Sequence, residues 1–459
     1  FRSGRIDVGD SLNNTSIGEG AGDAHTTGAS NVAVGYNALT ANTTGNSNTA
    51  IGLDALDACT TGAANVAIGR DSLGALTTGE KNVAVGRLSG AAITDSEDNV
   101  AIGQQSLQAT TTGDRNIAIG TRALYTSTTI SDNVAVGHEA LTANTTGTYN
   151  TALGKDVLKT NTTADDNVGV GYRALYQNTT GTRNNAVGKS ALAANTTGSK
   201  NTAVGDLCLT ANTTADDNTA VGCGALDANT TGASNTAIGR NALTDNTTAA
   251  NNTAVGFQAM LANTTGTSNT ALGAHALDAN TTASQNTAVG HYALTTNTTG
   301  TSNTAVGHAA LYTVSTASYN TAVGHSALAD TNASNNTAVG YYALRLNTTG
   351  SSNTAVGYNA LDANTTGANN TSVGNDSLTA NTTGDNNTAV GSDALGNTST
   401  GSRNSAVGKA ALIANTTGSD NTAFGFAALD AQSTTSDNSA FGAYALTSNT
   451  TGVRNTGLG

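Results

Sequence analysis

The chain has 459 residues, a formal net charge of −13, only 11% charged residues, and neither proline nor tryptophan. That balance offers no basic stripe for nucleic acid or for an anionic membrane surface, and no stretch is apolar for long enough to cross a bilayer as a helix. Length alone argues for several domains and the Asn, Thr, Gly and Ala content for disorder, but the order of the residues overrules both.

Phe1 to Leu12, FRSGRIDVGDSL, follows no register, and residues 1–13 are expected to be an N-terminal cap or joint. From Asn14 onward one phrase recurs: Asn, any residue, a small residue, an aliphatic residue, Gly. The Gly falls at 18, 35, 52, 69, 86 and so on to 459, giving 27 copies spaced by 17 except for one step of 16 between Gly324 and Gly340. A period in this range marks a solenoid, so 14–459 is expected to be a single continuous repeat array. Early copies favour Val or Ile in the second place, as at Val32, Val66, Val83 and Ile117, and later ones carry Thr. Gly22 and Gly90 stand where other copies have Leu. Phe424 and Phe441 replace the aliphatic residue, which predicts a wider core there. The chain starts without Met and stops in mid-repeat, so it is expected to be a fragment or processed piece.

The stretch Asn353 to Asn369, NTAVGYNALDANTTGAN, shows the repeat's parts. Place one (Asn353) is Asn and place five (Gly357) is Gly in all 27 copies, and place nine (Leu361) is Leu in 23 of 26. Thr354-Ala355-Val356 alternates as a short strand does. Gly357 permits a bend or close backbone approach, Tyr358 to Leu361 reads as a second short strand, and Asn364-Thr365-Thr366-Gly367 reads as a turn. The fold expected is all-β: a parallel β-solenoid of about 27 seventeen-residue coils, stacked about 4.8 Å apart into a rod on the order of 130 Å long. Asn353 then sits over Asn336 and under Asn370 in a ladder. In this reading Asn353 and Gly357 shape the coil, Val356 and Leu361 fill it, Ala355 faces a neighbour, and Asn364 to Gly367 form an outer loop. One coil buries about 1.5–3 kcal/mol for each large side chain, against a backbone ordering cost of about 1–2 kcal/mol per residue. That imbalance points to packing against further chains, most simply as a homotrimeric rod.

No Ser/His/Asp or Cys/His set recurs and no acid pair stands at one phase, so no catalytic or cofactor-binding residue is expected. Ala186 to Ser190, AVGKS, echoes a phosphate-binding loop, but Arg183 stands where its first Gly belongs. Cys59, Cys208 and Cys223 occupy three different phases and cannot stack as partners. His291, His308 and His325 follow the Gly in three successive copies, so they stack and are candidate metal ligands. The plainer reading is an exposed polar column at a variable place that elsewhere holds Tyr36, Arg70, Lys189 or Asp206. The Asn-Thr-Thr segments at Asn42, Asn364 and Asn381 match the N-glycosylation acceptor pattern, against the reading that Asn and Thr simply form turns.

NTAVGYNAL, NTAIGRNAL and NNAVGKSAL resemble the head repeats of YadA-like trimeric autotransporter adhesins, whose motif is Asn-Ser-x-Ala-Ile-Gly followed by a small residue. The longer form with NTTG resembles repeat arrays of phage tail-fibre-type proteins. The resemblance covers essentially all of 14–459. It implies a left-handed parallel β-roll, three chains side by side, and a structural fibre or adhesin that is extracellular, at the cell surface or in a virion tail. The implied partners are the chain itself and a cell-surface glycan or protein receptor. The family's head repeat is shorter, and its membrane anchor, coiled-coil stalk and chaperone domain have no counterpart in this sequence, which leaves trimer state and phage or cellular origin open. The other readings are a head-to-tail extracellular filament, glycosylated or not, an ice-binding Thr ladder, and a carbohydrate-degrading solenoid, for which no acid pair is seen.

Overall fold

The computed structural model describes residues 6–8 and 10–459, with side chains from Asp10 onward. Residues 1–5 and 9 of the expected cap lie outside the described residues. Of the rest, Ile6–Val8 forms a strand antiparallel to Thr15–Ile17, with Ile6 opposite Ile17 and Val8 opposite Thr15. It covers one open edge of the first repeat strand, which unpaired would expose its N–H and C=O groups. The chain divides into two compact units, Phe1–Ala233 and Ser234–Gly459. No helix among the described residues is long and apolar enough to cross a membrane.

Both units are parallel β-solenoids built from one kind of coil. In the first unit, thirteen strands of three residues run from Thr15–Ile17 to Thr219–Val221, one per repeat. They pair in parallel and in phase, as Val66, Ala67 and Ile68 do with Val83, Ala84 and Val85. The second unit has fourteen such strands, from Thr236–Ile238 to Thr456–Leu458. Its one short repeat keeps the register, Thr321 still facing Thr337. The missing residue is taken out of the turn, where Thr331 Oγ1 accepts from Ala333 N–H at 3.2 Å and from Asn347 Nδ2 at 3.1 Å.

Ala355, Ala360 and Leu361 are fully buried, whereas Thr354 and Val356 face out and are half-exposed. Leu361 is inward as expected, but Ala355, expected to face a neighbour, is in the core, and Val356, expected in the core, lies outside it. A three-residue strand turns only its middle side chain inward, and a seventeen-residue coil has room there for a methyl group. Phe424 and Phe441 follow the same rule. They are 40% and 42% exposed and stack on each other at 5.6 Å, so they lie outside the core instead of widening it.

The expected second strand is absent. Residues 358–363 form turns in which Asn359 (φ 50°) and Leu361 (φ 55°) are left-handed. That conformation costs a non-glycine residue about 1–2 kcal/mol, and burial of the Leu side chain returns about 1.5–3 kcal/mol. The turns are also paired coil to coil. Asn359 N–H donates to Tyr341 C=O at 3.0 Å, Leu361 N–H to Ser377 C=O at 3.0 Å and Ala363 N–H to Thr379 C=O at 3.1 Å. Buried backbone groups are therefore satisfied without regular strand or helix. Gly357 has φ 140°, and a Cβ there would stand 2.4 Å from the carbonyl oxygen of Gly374. Only glycine allows the coils to approach this closely.

Two columns of buried Asn hold the stack. In the first, Asn353 N–H donates to Asn336 Oδ1 and Asn370 N–H to Asn353 Oδ1, both at 2.9 Å. Asn353 Nδ2 donates to Gly367 C=O at 2.8 Å. The side chain must accept at one end and donate at the other, which Asp cannot do. In the second column Asn364 Nδ2 donates to Asn347 Oδ1 at 2.8 Å and to Gly367 C=O at 2.9 Å. This column is interrupted by Cys59, Leu76, Ile93 and Val314, all buried.

The irregular copies compensate internally. At Gly90, in a Leu place, an added Cβ would meet Leu73 Cδ2 at 2.9 Å and Ile93 Cδ1 at 3.1 Å. Ile93, in an Asn place, has swung into the space. Gly169 stands where other copies have Ala, and its missing methyl is replaced by Val157 Cγ1, 2.5 Å from where a Cβ would be. Gly90→Leu alone is expected to destabilise the first unit by about 1–3 kcal/mol through overpacking, and Ile93→Asn alone by about 2–5 kcal/mol through a cavity. The double variant restores the common coil and should lie well above the sum of the two in urea unfolding. Simple additivity would contradict the compensation.

All three cysteines are free thiols. Cys59 and Cys208 are buried, and burial pushes both up to about 11. Cys223 is exposed.

Candidate functional site

The Asn-Thr-Thr acceptors are not on an outer loop. Asn42, Asn364 and Asn381 are fully buried. The Nδ2 atom to which a sugar would be joined donates inward, from Asn42 to Gly45 C=O at 3.0 Å and from Asn381 to Asn364 Oδ1 at 2.8 Å. The motif's outward members are the threonines: Thr366 is exposed, and Thr365 Oγ1 donates to Thr382 C=O at 2.9 Å.

Each unit instead carries an uncharged outward face. Places two and four of every repeat strand but the last flank a buried middle residue and point away from the coil. In none of the 27 copies does either place hold a charged residue, although 11% of the chain is charged. Place four is always Val, Ile, Leu or Phe. In the first unit Ile17, Leu153 and Val187 are 40%, 48% and 39% exposed, and in the second Ile238 and Leu272 are 40% and 47% exposed. Charged residues lie elsewhere on the coil and pair across neighbouring coils, as Arg115 with Asp132 and Arg403 with Asp420, both at 2.7 Å.

Among the described residues one group of three side chains could hold a metal ion: His138, Glu139 and Asp156, whose ligand atoms lie within 4.8 Å of one another. A protein cation is already there. Lys159 Nζ sits 2.7 Å from Glu139 Oε2 and 3.1 Å from Asp156 Oδ1. This bond holds the Glu139 carboxyl below its ordinary range and the Lys159 amine above its own. The group is complete as a surface ion-pair network. Two recesses in the first unit are open to solvent, one lined by Asp95, Ser96, Asp114 and Ser131, the other by Arg173, Tyr176, Ser190 and Leu207.

In the second unit His291, His308 and His325 form a column, as their spacing predicts. All three are exposed. Ring centres are 5.5 Å apart for His291 and His308 and 5.0 Å for His308 and His325, the latter pair nearly parallel at 13°. The column continues through Tyr341, 5.2 Å from His325, to Tyr358, 5.5 Å further. His275 joins the other end at 6.4 Å from His291. Sequence reasoning grouped the histidines and missed the tyrosines and His275. Tyr341 and Tyr358 share the same place after the Gly, which was the available signal. His275 sits one place later in its coil.

Comparison with protein-family models and with curated proteins returns no match.

Proposed function

We propose that the chain is a subunit of a structural fibre or adhesin, extracellular or on a virion, with no catalytic role of its own. In this reading three chains, each a left-handed β-roll, lie side by side and cover one another's outward strand faces. The observation that carries it is the uncharged face at places two and four. Soluble monomers seldom expose contiguous apolar patches beyond a few hundred Å², and a chain with acids and bases on its other faces has kept them out of this one in every copy. A second copy presents the same face, and a closed ring of copies leaves none of it bare. The Asn columns and coil-to-coil turn bonds supply rigidity suited to reach. The variable place after each Gly then displays its side chain again and again, which favours multivalent contact with a receptor glycan or protein.

The test is to place charge on the face without touching the coil interior. The triple variant Val339→Lys, Val356→Lys, Val373→Lys is expected to sediment as a monomer while keeping the circular dichroism of the parent. An unchanged assembly would overturn the reading.

A further inference from the structure

We infer that the imidazole column of the second unit is a binding site for borderline divalent cations of the Ni²⁺, Cu²⁺ and Zn²⁺ class, bridged by neighbouring pairs His291–His308 and His308–His325. The inference stands apart from the fibre reading.

The geometry fits a pairwise site. A ring nitrogen bonds such an ion at about 2.0–2.1 Å, so two imidazoles sharing one ion have ring centres about 5 Å apart. The observed separations are 5.5 and 5.0 Å. The in-phase stacking of coils sets this spacing, since His308 and His325 follow strands whose residues face each other directly, Val306 opposite Val323. Imidazole lone pairs lie in the ring plane, so His308 and His325, now stacked at 13°, must turn about their side-chain bonds until one nitrogen of each faces a common point, and all three rings are exposed. Tyr292, 3.9 Å from His291, and Tyr341, 5.2 Å from His325, border the column with further rings.

The ring nitrogens of His291, His308 and His325 are also uncommitted among the described residues. Of the four histidines in the column only His275 takes part in an ion pair among the described residues, with Asp278 at 3.4 Å. Arg345, beyond the tyrosine end, is engaged by Asp362 at 2.9 Å and by the face of Tyr342 at 4.7 Å. Among the described residues no protein cation fills the column as Lys159 fills the His138 group. Imidazole is the ligand that suits these ions, and carboxylate-poor surroundings disfavour Mg²⁺ and Ca²⁺.

The experiment is titration of the full chain with NiCl₂ by calorimetry, alongside metal-free and metal-loaded melting curves. His308 belongs to both pairs, so His308→Ala and His308→Tyr should each weaken Ni²⁺ binding by about tenfold or more, a loss that even outer partners of a metal ligand produce. The Tyr variant keeps a stacked ring, as Tyr341 does naturally, and guards against an effect of lost packing. Both variants should melt like the parent without metal, and His138→Ala should bind Ni²⁺ like the parent. Parent-like binding by either His308 variant would overturn the inference. Loss of binding in His138→Ala would also overturn it, by moving the ion to the acidic group.

Discussion

Gly69→Ala is expected to destabilise the first unit by about 2–6 kcal/mol, combining a backbone region nearly closed to other residues, about 1–3 kcal/mol, with overpacking, about 1–3 kcal/mol. Gly69 has φ 127°, and a Cβ would lie 2.7 Å from the carbonyl oxygen of Gly86 in the next coil. The nearest atoms are all backbone of Gly86 and Arg87, so no side chain can move to relieve the clash. Gly74, five residues on in the same coil, supplies the control. A Cβ there would first meet Asp57 Oδ1 at 3.5 Å, and the backbone is not left-handed. Gly74→Ala should therefore change stability by no more than about 0.5–1 kcal/mol in either direction. Urea unfolding of both variants decides the matter. Equal effects would mean that the coils do not approach each other in solution as closely as described.

The second large effect separates two asparagines that composition cannot tell apart. Asn353→Leu strands the N–H of Asn370, whose acceptor was Asn353 Oδ1 at 2.9 Å, and removes the Nδ2 bond to Gly367 C=O, while the N–H of residue 353 keeps its acceptor, Asn336 Oδ1. A buried polar group without a partner costs about 1–3 kcal/mol and one lost hydrogen bond about 0.5–1.5 kcal/mol, so a loss of about 1.5–4.5 kcal/mol is expected. Asn364→Leu removes a side chain whose bond to Gly367 C=O, at 2.9 Å, duplicates the one from Asn353 Nδ2 at 2.8 Å. Asn381 keeps its own bond to Gly384 C=O at 3.1 Å. Asn347 Oδ1 loses its donor, a state that Asn297, Asn381 and Asn415 Oδ1 of this column already show, so the expected loss is about 1 kcal/mol. Leu76, Ile93 and Val314 already occupy this place, whereas the Asn353 place never varies. Equal losses in chemical denaturation would remove the distinction between the two columns.

The sequence disclosed the coil through its period. Seventeen residues per copy set the parallel register, the inward Leu361 and the column of Asn336, Asn353 and Asn370. The interior of the coil was less legible. Val outranks Ala in hydrophobicity, so Val356 was assigned inward, but the available volume admits only Ala355. The stretch Tyr358 to Leu361 alternates polar and apolar residues as a strand does, and its left-handed Asn359 and Leu361 are not residues that announce that conformation. A faint signal lay in the irregular copies, since Gly20, Gly22, Gly90 and Gly224 stand at these two places with positive φ. Asn364 read as a loop residue because Asn-Thr-Thr-Gly has turn chemistry. Its side chain closes that turn from the inside, onto Gly367. Of the candidate sites, the histidine column followed directly from the period, whereas the His138 group draws on two places of one coil and one of the next and has no repeating signature.

The uncharged outward face is the feature on which the proposed function turns, and the mass of the chain in solution tests it most directly. Size-exclusion chromatography with light scattering, at physiological salt, should return three times the 45.1 kDa of the chain. A monodisperse particle of 45.1 kDa that stays single as concentration rises would contradict the account.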